Sequence, residues 1–151
     1  MGQKVNPIGF RIAVDKEWRS RWFANKKQFG ELLAEDMMIR EMVKKRLESA
    51  AITKILIERY ANRVRINLYT ARPGVVVGRK GQDIDKIRQE LAKKTGKDIY
   101  IEIHEVRDAD ANAQLVAENI AQQVERRVGL KRAMKRAEKV AMDMGVDGIK
   151  I

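Results

Sequence analysis

Pro73-Gly74-Val75-Val76-Val77-Gly78-Arg79-Lys80-Gly81 sets two turn signals and two positive charges within nine residues. Pro73 suits the first turn of a short helix, because its missing N–H would be unpaired there anyway. That helix carries Val75 to Val77 and stops at Gly78. After Gly81, Ile84, Ile87 and Leu91 fall at helical spacing, with Asp83, Asp85, Lys86 and Arg88 outside, until Thr95-Gly96 ends the run. On the amino-terminal side, Val64, Ile66 and Leu68 alternate with Arg65, Asn67 and Tyr69, which is the period of a half-buried strand. On the carboxy-terminal side, Ile99, Ile101 and Ile103 alternate with Tyr100, Glu102 and His104 in the same way. The centre of the chain therefore reads strand, short helix, loop, helix, strand.

Further out, Ile52 to Tyr60 reads as a strand joined to Val64–Thr70 by a turn at Ala61-Asn62. Asp36 reads as the N-cap of a helix running to about Glu48, in which Ile39, Val43 and Leu47 recur every four residues. Residues 1–24 read as an irregular basic arm, broken by Gly2, Pro7 and Gly9, with Trp18, Trp22 and Phe23 available to anchor it on the core. Asp110 is the expected cap of a helix striped by Val116, Ile120, Val124 and Val128 and stopped by Gly129. A last helix turns Leu130, Met134, Ala137 and Ala141 inward, and Val146 to Ile151 reads as the start of a strand. A lone strand cannot pair its backbone, so a carboxy-terminal domain is expected to be missing beyond it.

The 151 residues hold 32 Lys and Arg against 21 Asp and Glu, one His and no Cys. Disulfides and cysteine zinc sites are excluded, a histidine-rich metal centre has no ligands, and no cofactor is expected. The longest apolar runs fall far short of the roughly 18 residues of a membrane span, so no membrane partner is expected. The net charge of +11 is uneven: residues 1–30, 61–107 and 129–151 are basic, 31–60 are neutral and 108–128 acidic. Local basic excess of this kind fits a polyanion, because Lys and Arg replace condensed counterions along phosphates.

The loop Gly78-Arg79-Lys80-Gly81 is the first candidate site. Its glycines let a sugar-phosphate chain approach without a Cβ in the way, the next helix N-terminus offers N–H groups, and Arg79 and Lys80 add charge. Val75, Val76, Ile84 and Ile87, where the core does not need them, could line a groove for unstacked bases. Other phosphate motifs fail on spacing. A Walker loop needs four residues between its first Gly and its Gly-Lys pair, and only three separate Gly74 from Gly78; the dinucleotide fingerprint would need Gly where Val76 stands. The second candidate is the last helix, where Arg132, Arg136 and Lys139 fall at i, i+4 and i+7. His104 between Glu102 and Glu105 is no catalytic group, since Glu105 faces the other side of a strand and no nucleophile is near in sequence.

Val76-Val77-Gly78-Arg79-Lys80-Gly81 in this setting resembles a KH domain, and the preceding helix and hairpin make it similar to type II. Met1-Gly2-Gln3-Lys4-Val5-Asn6-Pro7, Trp22-Phe23-Ala24-Asn25, Thr70-Ala71-Arg72-Pro73-Gly74 and Arg132-Ala133-Met134-Lys135-Arg136-Ala137 resemble the bacterial small-subunit ribosomal protein three family. The resemblance implies an α+β fold: a type II KH domain at 25–129 with a three-stranded mixed sheet packed on helices, a basic arm at 1–24, and at 130–151 the first helix and strand of a second α/β domain that is truncated. It implies a cytoplasmic, ribosome-bound structural protein, not an enzyme, in the head of the small subunit. Its partners would be ribosomal RNA, messenger RNA and neighbouring head proteins. Lys131, Arg132 and Lys135 match positions associated with the messenger entry path, Lys131 standing where Arg is expected. Arg136, Lys139, Lys4 and Arg11 would support by contacting phosphates. The alternatives are a free-standing KH regulator that reads single-stranded RNA through Gly78–Gly81 and a duplex DNA binder using the last two helices.

Overall fold

A computed structural model describes residues 2–78 and 81–151, so Arg79 and Lys80 of the loop lie outside the described residues. The chain order is α1 (Pro7–Arg11), β1 (Ser20–Arg21), α2 (Lys26–Arg46), a 3-10 turn at Glu48–Ala50, β2 (Ile52–Tyr60), β3 (Arg63–Thr70), α3 (Pro73–Val77), α4 (Gln82–Thr95), β4 (Asp98–Glu105), α5 (Ala113–Glu125) and α6 (Leu130–Asp143). The sheet runs β1-β2-β3-β4. β2 and β3 form the expected hairpin, antiparallel from Tyr60↔Arg63 to Ile52↔Thr70. β3 and β4 are parallel, which requires a crossover, and α3 with α4 supplies it.

Alternation along the strands sends one set of side chains inward. Ile55 and Ile57, Val64, Ile66 and Leu68, and Ile99 meet Ile39, Val43 and Leu47, Val76 of α3, and Ile87 and Leu91 of α4 in one core. The three helices thus cover a single face of the sheet, and the KH-type α+β architecture expected from the sequence is present.

Several expectations need correction. The sheet has four strands, not three, because two residues of the arm pair in parallel with β2 through Ser20↔Ile57 and Arg21↔Glu58. The arm is less irregular than expected for the same reason, and Asn6 caps α1 by accepting from the N–H groups of Ile8 and Gly9. α2 begins ten residues before Asp36, at Lys26. Its opening turns escaped the periodicity because Phe29, Leu33 and Met37 form an apolar stripe that faces solvent. Asp36 is therefore an interior helical residue, only 1% exposed.

Asn112, not Asp110, caps α5, its side chain accepting from the N–H groups of Gln114 and Leu115. α5 ends at Glu125, with Arg127 in the left-handed region at φ 63°, and Gly129 is the N-cap of α6 and not the stop of α5. Ala133 and Ala141 are the buried residues of α6, whereas Leu130 is exposed. Val146–Ile151 is irregular and not a strand; its backbone has no neighbouring strand among the described residues to pair with.

Candidate nucleic-acid interface

The loop is held from both sides by short-range chemistry. At the end of β3, the buried Thr70 donates its hydroxyl to the carbonyl of Ala50 and accepts from the N–H of Arg72, which fixes the path into α3. Pro73 occupies the first turn of α3, Val76 is fully buried as its anchor, and the N–H of Gly78 closes the helix on the carbonyl of Gly74 at 3.1 Å. Gly78 has φ 68° and ψ −166°, a conformation open essentially to glycine alone. A Cβ there would meet Asp83, 2.7 Å from its Cγ and 2.8 Å from its Cβ. Gly81 takes φ 79° as the N-cap of α4, with open space where a Cβ would point. The two glycines therefore serve different needs: Gly78 permits close packing against Asp83, and Gly81 permits the turn.

The chemistry around the loop is mixed. Asp83 and Asp85 in the first turn of α4 suit the helix dipole, and they pair with Lys86 at 3.7 Å and Arg88 at 3.0 Å. Those carboxylates occupy the helix N-terminus that a phosphate would otherwise meet. The expected groove is also narrower in composition. Val76 and Ile87 belong to the core, while Val75 is exposed and Ile84 half-buried, leaving these two with the exposed Val77 as apolar surface.

The last helix gathers its basic residues as expected. Lys131, Arg132, Lys135, Arg136 and Lys139 are all exposed, and none enters an ion pair among the described residues. Ala133 and Ala141 seat the opposite side, with α6 packing on α5. Small residues there bring the two helices close and leave the long cationic chains free. Gly78 and Gly81 lie between α3 and α4, whereas the stripe is on α6, so the two candidates belong to different elements. Lys4 and Arg11 lie on the arm and join neither; both are exposed, and Arg11 donates back to the carbonyl of Pro7. His104 stacks on Tyr69 with ring centroids 4.9 Å apart.

A polar cluster went unread in the sequence. Asp36 accepts from the hydroxyl of Ser20 and the indole N–H of Trp22, both at 2.8 Å, and from the guanidinium of Arg59. Arg59 also reaches Glu35 at 2.8 Å, and Lys97 closes on the other Glu35 oxygen at 2.8 Å. Arg40 donates to the carbonyls of Ile55 and Arg19. Burial pushes the Glu35 carboxyl up, but hydrogen bonds and charge from Lys97 and Arg59 outweigh it and hold the group below its ordinary value. Burial likewise lowers Arg40, with Asp36 opposing. The cluster fixes the arm on α2 and the sheet. Its signal in the sequence is an acid on the same helical face as Ile39 and Val43, a position that buries it. Between α2, Arg72 and α5 lies an open cleft of about 770 Å³ whose basic lining, Lys45, Arg46, Arg72 and Arg126, is matched by Glu48, Asp110, Glu118 and Glu125.

A KH-domain family model matches residues 38–111, which contain the core, both glycines and the crossover. A small ribosomal subunit protein uS3 from Methylacidiphilum infernorum is 54% identical over 153 aligned residues, covering the whole of this chain and 71% of the relative. The chain belongs to the uS3 family. Another uS3 protein, from Akkermansia muciniphila, is 54% identical with 67% of its length covered, and one from Azorhizobium caulinodans is 53% identical with 61% covered. The uS3-family chain thus spans roughly half to seven tenths of the length of the curated relatives it matches. Membership in uS3 does not favour the free-standing regulator.

Proposed function

We propose that this chain is a structural, RNA-binding component of the small ribosomal subunit, cytoplasmic and ribosome-bound, with no catalytic role. Ribosomal RNA is its principal partner. The observation that carries this reading is the basic stripe of α6, unpaired among the described residues, beside a KH fold, in a chain about half identical to uS3 proteins along its whole length. In this reading Lys131, Arg132 and Lys135 face the path of messenger RNA, while Arg136, Lys139, Lys4 and Arg11 contact phosphates. Gly78, Arg79, Lys80 and Gly81 form a loop able to hold a single strand. Residues 1–24, 25–129 and 130–151 act as arm, KH domain and opening of a further domain, with neighbouring head proteins as additional partners.

The stripe owes its strength to what it lacks. Five cations within nine residues carry no paired acid among the described residues, and Glu138 is the one acid between them. Each contact to a single strand contributes about −0.7 to the log–log salt slope of binding. Replacing Lys131, Arg132 and Lys135 by Ala should therefore make the slope for a short single-stranded RNA shallower by about 2, and Arg79→Asp/Lys80→Asp by about 1.4. Slopes unchanged in both variants would remove phosphate contact from both features. Failure of the chain to enter a small-subunit particle assembled from RNA and purified proteins would overturn the structural role.

A further inference from the structure

The helices cover one face of the sheet; the other face has an unusual composition. Its side chains run in register across β2, β3 and β4: Lys54, Tyr69 and His104 in one row, Leu56, Asn67 and Glu102 in the next, then Glu58, Arg65 and Tyr100, and at the hairpin end Tyr60, Arg63 and Asp98. Leu56 is the sole aliphatic residue among them, and it is 2% exposed. What meets solvent is aromatic or charged, with Tyr60 56% and Tyr100 48% exposed. The rings are faced by cations: Arg65 lies 5.8 Å from the Tyr60 ring, Arg63 5.9 Å from that of Tyr100, and Lys54 5.5 Å from that of Tyr69, on which His104 stacks.

We propose that this open sheet face is a second single-stranded RNA site, distinct from the Gly78–Gly81 loop and the α6 stripe, on which unpaired bases stack at the Tyr69–His104 pair and on the separate rings of Tyr60 and Tyr100. The proposal rests on the RNA-binding reading above and adds a surface to it. Tyr100 and His104 are four residues apart on one strand, about 13 Å, a span of roughly two nucleotides. An obligate protein interface carries a core more apolar than the rest of the surface, and this face exposes no aliphatic residue to supply one. Aromatic rings bind any base through its π face, and arginine planes add to the stack.

Charge is arranged to match. Glu58 and Glu102 are held by Arg65 at 3.8 and 3.4 Å, Arg21 also reaches Glu58, and Glu17 holds Lys54. Arg63 has no ion pair among the described residues, although Asp98 is its register neighbour. The exposed Lys93 and Lys94 end α4 just before β4 begins beside Asn62. A phosphate chain leaving the hairpin end meets these cations, while the paired centre repels it little. The site should thus bind mainly by stacking, with little dependence on salt.

His104 is the single histidine of the chain, so its ring signal in nuclear magnetic resonance reports on this face alone. Titrating the full chain with single-stranded octaadenylate should move that signal upfield, equally in wild type and in Arg79→Asp/Lys80→Asp. Tyr60→Ala and Tyr100→Ala should each weaken this binding about tenfold, and Phe at either position should restore it to within about twofold. The salt slope read from His104 should be no steeper than about −1.4. A His104 signal that stays still while RNA saturates the chain overturns the proposal and leaves the loop and α6 reading standing. Tyrosine variants that bind RNA normally but fail to enter an assembled particle would give the face to a protein neighbour, and also overturn it. RNA that binds no part of the chain removes both readings.

Discussion

Gly78 and Gly81 look equivalent on paper and are not. Both hold positive φ, so an Ala at either is strained, but only Gly78 combines φ 68° with an extended ψ and a neighbour in the way. Gly81→Ala should cost about 1 kcal/mol and Gly78→Ala about 3 kcal/mol, measured by urea unfolding. Asp83→Ala should recover little of the second loss, because the Asp83 Cβ itself stands 2.8 Å from the new methyl group. A residue with the opposite character is Asp36, which is buried and answers three donors. Asp36→Asn leaves the Arg59 guanidinium short of a charge partner in a dry site, and should cost about 3 kcal/mol in the same measurement. An Asp36→Asn form as stable as wild type would mean that Glu35 alone satisfies Arg59.

At the scale of elements, α6 separates its two tasks by side. Ala133 and Ala141 set its distance from α5, and the lysines and arginines opposite make no contact that stability needs. The triple Lys131/Arg132/Lys135 Ala form should therefore unfold within about 0.5 kcal/mol of wild type, whereas Ala133→Leu should cost about 2 kcal/mol by overpacking the α5–α6 seam. Thermal or urea denaturation of the two variants distinguishes the faces. What was legible beforehand follows from the same physics. The hairpin, the crossover and β4 were readable because their core residues alternate or recur on a single buried face. The opening of α2 was not, since Phe29, Leu33 and Met37 form a stripe aimed at solvent, and the pattern that normally marks a core was absent on the other side. The pairing of β1 was unreadable for a different reason: two residues carry no period, and the side chains that fix their place, Asp36, Arg40 and Glu58, are distant in sequence. Of the site, the α6 stripe and both glycines were legible by spacing; the outer sheet face was not, because its aromatics are interleaved in sequence with the core residues that made the strands recognisable.

For the whole molecule, the Asp36–Arg59–Glu35–Lys97 cluster links arm, helix and sheet into one unit whose charge states matter. Glu35 titrates below its ordinary 4.5 when folded, so the stabilisation it provides is complete above that pH and is lost as the pH falls through the lowered folded value. Below about pH 4.5 the arm should loosen first, seen as a red shift of Trp22 emission in a Trp18→Phe background before the far-ultraviolet signal of the helices changes. Glu35→Gln should flatten that part of the acid profile; a slope identical to wild type would place the acid sensitivity elsewhere. The topology also sets an order in time. Ser20 and Arg21 are synthesised before Ile57 and Glu58, the residues they pair with, and before Asp36 and Arg40, which bond the Ser20 hydroxyl. During synthesis this segment emerges early and must wait for about forty further residues, so a part of the chain that is born early stays without its place until β2 has followed it.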